Sequence, residues 1–122
     1  MKKIVLVDDS DVILDIVTQA LKMYGYEDIL RAKDGQEGLE VIKNNKGNIA
    51  LCIFDVNMPK MDGITLVKEV RAFDPTTPII MLTTETDKEK IVKAKEYGAT
   101  GWIVKPFEAE KFIKVVQMYV SQ

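Results

Sequence analysis

What most constrains this chain is an alternation: five short apolar runs separated by longer stretches with helical periodicity. The runs are Ile4–Val7, Ile29–Ala32, Ile49–Phe54, Ile79–Leu82 and Trp102–Val104. Between the first two, Val12, Ile13, Ile16, Val17, Ala20 and Leu21 recur at steps of three and four, which predicts one buried helix face. Leu39 and Ile42, then Ile64, Leu66, Val67 and Val70, then Phe112, Ile113, Val116, Tyr119 and Val120 repeat the pattern. Turn signals separate the segments: Asp34-Gly35, Gly47, Asp62-Gly63, Asp74-Pro75 and Gly98. Strands alternating with helices of roughly ten to fifteen residues form βαβ units, and βαβ units build a parallel sheet.

The strands also differ in how apolar they are. Runs one, three and four are continuously apolar, as strands covered on both faces should be. Run two is broken by Arg31, and run five is short and bounded by Gly101 and Lys105, so both predict sheet edges. The expected fold is therefore α/β, a doubly wound five-stranded parallel sheet with five flanking helices. Its order, 2-1-3-4-5, is matched to a known arrangement of such sheets rather than worked out independently. Sheets of this kind bind ligands beyond the carboxyl ends of their strands.

Composition narrows the chemistry. The 122 residues include no histidine, which excludes a Ser-His-Asp triad, a histidine-ligated zinc and a histidine general base. A single cysteine, Cys52, allows no internal disulfide and no CxxC motif, and its apolar surroundings predict a buried structural thiol. With 17 Lys+Arg against 19 Asp+Glu and no block of like charge, neither nucleic acid nor membrane is an expected partner. The four-residue apolar run after Met1-Lys2-Lys3 is too short for a signal-peptide core or a membrane span, so the expected location is the cytoplasm.

Against this background, the residues at the expected carboxyl ends of the strands stand out. Strand one runs into Asp8-Asp9, strand three into Asp55, strand four into Thr83-Thr84-Glu85, and strand five into Lys105-Pro106-Phe107. Each alone has an ordinary explanation: Asp8 or Asp9 as a helix N-cap, Thr83 as a turn residue, Lys105 as a surface charge. Corresponding positions on one end of one sheet are harder to explain that way.

Three ionised carboxylates at close range repel one another and raise at least one pKa unless a cation intervenes. Hard oxygens with few protein ligands suit Mg²⁺, which keeps several waters and is often completed by a phosphate oxygen. The aspartates carry −3 and Lys105 +1, a balance that one divalent cation neutralises, leaving room for a phosphoryl group faced by the cation and Lys105. Asp55 can serve as the nucleophile because a carboxylate is ionised at neutral pH without a general base.

At these residues the chain resembles a known family. Val7-Asp8-Asp9-Ser10, then Asp55-Val56-Asn57-Met58-Pro59-Lys60-Met61-Asp62-Gly63, then Thr83-Thr84-Glu85 and Lys105-Pro106-Phe107 are similar to the receiver domain of bacterial two-component response regulators, the single-domain chemotaxis type above all. The resemblance runs from about Lys3 to Tyr119. It implies that Asp55 accepts phosphate from a histidine on a partner kinase. It further implies Mg²⁺ on Asp9 and Asp55, with Asp8 acting through water and the Asn57 backbone carbonyl as a further ligand. Lys105 would contact the phosphoryl oxygens, and the peptide before Pro106 would be cis. Thr83 would hydrogen-bond the phosphoryl group, Trp102 would be the aromatic switch, and Asn57 and Glu85 would tune phosphate lifetime.

Two positions depart from the family pattern. Thr84 stands where a small residue is usual, and its branched side chain would narrow access to Asp55. Trp102 stands where tyrosine or phenylalanine is more common. The chain ends at Gln122 soon after the last helical pattern, so the expectation is one receiver domain over 1–122 with no attached output domain. Its signal would leave by a protein contact, with the flagellar motor switch as a target and a phosphatase as a further partner, from a monomer. The face carrying Lys88, Lys90, Lys93 and Lys95, with Lys111 and Lys114, is the expected output surface, although alternating Lys and Glu also describes any solvated helix.

Three rival readings are weaker. A haloacid-dehalogenase-type phosphatase wants an acid two residues after the nucleophile, where Asn57 stands. A flavodoxin-like or dinucleotide binder wants a phosphate-cradling loop, where Asp8-Asp9-Ser10 repels phosphate. A pseudo-receiver would signal without an intact acceptor, acid pair and lysine.

Overall fold

In a computed structural model, residues 2–84 and 88–120 are described. The strands β1 (Lys3–Val7), β2 (Ile29–Ala32), β3 (Ile49–Asp55), β4 (Ile79–Thr83) and β5 (Gly101–Val104) alternate with five helices. These are α1 (Asp11–Met23), α2 (Gly35–Asn44), α3 (Gly63–Arg71), α4 (Lys88–Glu96) and α5 (Ala109–Tyr119). All strand pairs are parallel, and the order is β2-β1-β3-β4-β5. The edge strands are the two whose residues stay half exposed.

The period of two along each strand divides the core into two layers. Val5, Val7, Cys52, Phe54, Ile79 and Met81 face α2, α3 and the single buried residue of α4, Ala94. Ile4, Leu6, Leu51, Ile53, Ile80 and Leu82 face α1 and α5 through Leu14, Val17, Leu21, Phe112, Ile113 and Val116. The inner strands are apolar throughout because both faces are covered. Cys52 lies in the first layer, fully buried, and burial chiefly pushes its thiol up to about 12, with the nearby Asp74 adding to it. It stays protonated and packs as a small apolar group.

Helix starts follow local chemistry. Ser10 caps α1, accepting from the Ile13 amide at 3.3 Å; Asp34 caps α2 from Glu37 at 2.8 Å; Asp62 caps α3 from Thr65 at 2.7 Å. Since Ser10 takes that role, neither Asp8 nor Asp9 is spent on it.

The stripe expected on α1 is only partly buried. Val17, Ala20 and Leu21 are covered and Ile13 is half covered, but Val12 and Ile16 are 65% and 49% exposed, while Leu14 is buried instead. The apolar arc of α1 is wider than the sheet face it meets, and Val12 and Ile16 lie on the overhang. At the other end of the chain, α5 stops at Tyr119, and Val120 is its extended C-cap rather than a helical residue.

Candidate functional site

The sheet's topology creates the site. From β1 the chain crosses outward to β2, whereas from β3 it proceeds the opposite way, so a crevice opens at the carboxyl ends of β1 and β3. Val7 pairs in register with Phe54, which sets Asp8 and Asp55 side by side at that crevice. The carboxylates of Asp8, Asp9 and Asp55 each offer an oxygen within 4.8 Å of the others. Asp8 is fully buried, Asp55 is 7% exposed and Asp9 reaches solvent. Among the described residues, the buried polar or charged ones are Asp8, Asp55 and Thr83, and all three belong to this end of the sheet.

Burial of a charge needs compensation, and Lys105 supplies it. Its ammonium lies 2.9 Å from Asp55 Oδ1 and 3.2 Å from Asp8 Oδ2. The second Asp8 oxygen accepts from the Ser10 amide at 2.9 Å. Desolvation is the main influence on Asp55 and raises its pKa; the Lys105 hydrogen bond opposes it, and Asp8 and Asp9 push the same way as burial. For Lys105 desolvation pulls the pKa down, but the two carboxylates together outweigh it and hold the ammonium above the ordinary lysine value.

Lys105 is aimed by its backbone. Its amide donates to the Thr83 carbonyl at 2.7 Å, which ties the end of β5 to the end of β4, and the Lys105–Pro106 peptide is cis. The Thr83 hydroxyl donates to the Thr84 carbonyl at 3.2 Å, and Thr84 itself stands exposed at the rim. Glu85 lies outside the described residues.

The loop after Asp55 is equally constrained. Val56 donates to the Leu82 carbonyl at 3.2 Å and accepts from the Gly63 amide at 2.8 Å. Gly63 sits so close that a Cβ there would lie 2.0 Å from the Asp55 carbonyl oxygen. Asn57 is exposed, and its Oδ1 accepts from Lys90 Nζ at 2.6 Å. The sequence placed Lys90 with the output lysines and gave no sign of this contact, because a long side chain reaching across 33 positions leaves no local signature.

Trp102 is 41% exposed on β5, with Lys95 Nζ 4.1 Å from its ring centre. Together with Lys88, Ile91, Val92 and Val104 these residues line an open groove of about 560 Å³. Lys93 stands on α4 as well, whereas Lys111 and Lys114 stand on α5, which does not line the groove.

The chain matches the response regulator receiver domain over residues 4–117. It is a member of the response-regulator receiver family.

Among its relatives, the chemotaxis protein CheY1 of Helicobacter pylori is 43% identical over 107 residues, 86% of each chain. The solved chemotaxis response regulator CheY4 of Vibrio cholerae is 44% identical over 98% of this receiver and 99% of that chain, with a TM-score of 0.86. A chain of the CheX–CheY–BeF₃–Mg²⁺ complex of Borrelia burgdorferi superimposes with a TM-score of 0.90 at 31% identity, over 98% of this receiver and 90% of that chain. The receiver is thus homologous to chemotaxis response regulators. Its donor set, three carboxylates with hard oxygens facing one crevice, fits Mg²⁺. No helix among the described residues is long and apolar enough to cross a membrane.

Proposed function

We propose that this receiver accepts a phosphoryl group on Asp55 from a phosphohistidine of a partner kinase and passes the signal on by protein contact. The observation that carries the reading is the segregation of buried polarity. An Asp55 held 7% exposed beside Asp8, with a lysine bridging both, is a costly arrangement for stability alone. Such groups are retained where chemistry needs them.

Asp55 brings the nucleophile: one carboxylate oxygen forms the new P–O bond while the donor's P–N bond breaks and its electron pair leaves on the imidazole. No proton has to be taken from Asp55, which is why a chain without histidine suffices. Lys105, already 2.9 Å from that carboxylate, faces the phosphoryl oxygens once they arrive. Thr83, ending the adjacent strand, offers its hydroxyl to the same oxygens by turning away from the Thr84 carbonyl. Asp8, Asp9 and Asp55, with the Asn57 carbonyl, would hold Mg²⁺, which supplies charge neutralisation for the transferring group. The receiver acts only on its own phosphorylation and dephosphorylation and is otherwise no enzyme.

Its output runs through the Trp102 groove between α4 and β5. Likeness to chemotaxis regulators supports a flagellar-motor-type target, a chemotaxis kinase and a phosphatase as partners, in the cytoplasm, with a monomer as the working form. A phosphate shuttle or sink in another phosphorelay is the alternative.

Adding BeF₃⁻ with Mg²⁺ to the wild type should change the fluorescence of Trp102, the single tryptophan, while Asp55→Asn gives no response. Absence of Mg²⁺-dependent binding to the wild type by calorimetry would refute the assignment.

A further inference from the structure

Asp55 ends β3 and Thr83 ends the neighbouring β4. The loop leaving β3 carries Asn57, and the helix following β4 carries Lys90. A bond between those two residues therefore ties the loop that follows Asp55 to the helix that follows β4. That bond exists, at 2.6 Å, and one partner is a full charge. Val56 pins the loop from below through its bonds to Leu82 and Gly63, so Asn57 is the first side chain past Asp55 to stand in solvent. Asp55 itself is held by Lys105, which also binds Asp8, and keeps a small solvent-exposed fraction.

We propose that Lys90 is a positioning residue for the aspartyl phosphate: by holding Asn57 in the loop that follows Asp55, it restricts water's approach and lengthens the life of the phosphoryl group. The inference rests on Asp55 as acceptor. In the hydrolysis it opposes, a water oxygen bonds to phosphorus, and the P–O bond to Asp55 breaks with its electron pair returning to the carboxylate. A water proton passes to solvent.

The test phosphorylates the full chain with acetyl phosphate and Mg²⁺, removes the donor, and follows decay on phosphate-affinity gels. Lys90→Ala should shorten the half-life by about two- to fivefold, the scale of an exposed charged contact. Lys90→Arg, which keeps the cation and its reach, should stay near wild type. Asn57→Ala should shorten the half-life as much as Lys90→Ala, and the double variant no further. Unaltered decay in Lys90→Ala, or effects that multiply in the double variant, overturns the inference and leaves the acceptor untouched. A wild type that takes up no phosphoryl group overturns Asp55 as acceptor, and this inference with it.

Discussion

Lys105 Nζ stands 2.9 Å from Asp55 Oδ1 while also reaching Asp8 Oδ2 at 3.2 Å, so one cation answers for two buried anions. Its side chain keeps about 20% exposure, whereas Asp55 keeps about 10% and Asp8 none, so water helps the lysine most and Asp8 not at all. Removing it leaves two desolvated charges facing each other.

Lys105→Met should therefore destabilise the metal-free protein by about 2–3 kcal/mol, somewhat below a fully buried pair because the ammonium is partly solvated. Mg²⁺ should return much of that loss, since a divalent cation replaces the missing charge. Thermal melts with EDTA and with excess Mg²⁺ measure both effects; a larger Mg²⁺ shift in Lys105→Met than in wild type is the expected result.

The raised pKa of Asp55 fixes the sign of a pH effect. The folded protein keeps this proton above the ordinary value of 3.8, where the unfolded chain has begun to release it. Its contribution to stability is fully present below that value and is lost as pH rises through the folded one. Asp55→Asn carries no such titration, so without metal its stability advantage over wild type should open as pH climbs from about 3 and then level off. Lys105 works at the other extreme: its stabilisation holds below the ordinary lysine value of 10.5 and disappears as pH passes the higher folded value. Denaturant titrations across pH on both proteins provide the curves.

Gly63→Ala should be among the most damaging small changes, costing about 3 kcal/mol or more, because its methyl group would meet the Asp55 carbonyl oxygen at 2.0 Å. Gly47→Ala separates contact from conformation. Nothing lies within 4 Å there, but φ is +86°, so only the left-handed backbone is penalised, by about 1–2 kcal/mol. Chemical denaturation of the two variants should rank them in that order.

Lys95→Gln should alter Trp102 emission without a large stability change, since the ammonium 4.1 Å from the ring centre contributes only about 0.5–1 kcal/mol at an exposed site. A red shift with a melting point within a few degrees of wild type is expected.

How much of this is legible in the sequence depends on distance along the chain. Asp8, Asp55, Thr83 and Lys105 could be placed together because each lies where an apolar run stops, and strand ends in a parallel sheet share one side. Arg31 and Gly101 mark the two edge strands by failing to be apolar, whereas the order of the strands between them came from a known arrangement of such sheets. The exposure of Val12 and Ile16 was hidden, since periodicity reports an apolar arc but not how much of it the sheet covers. Ser10 as the α1 cap was hidden by two acids just before it that were equally able to cap. The Lys90–Asn57 bond was invisible for a different reason: it depends on where α4 lies over the loop after β3, which only tertiary packing decides.

That helix has a consequence of its own. The other four helices each bury two or more apolar side chains in the core, whereas α4 commits Ala94 alone. Displacing it exposes little apolar surface, so the hydrophobic term that fixes the rest of the molecule barely resists its movement. In amide exchange such a segment belongs to the fast, locally opening class while β1, β3 and β4 report global unfolding. The fold thus pairs a rigid sheet that holds the acids in place with one lightly seated helix beside it.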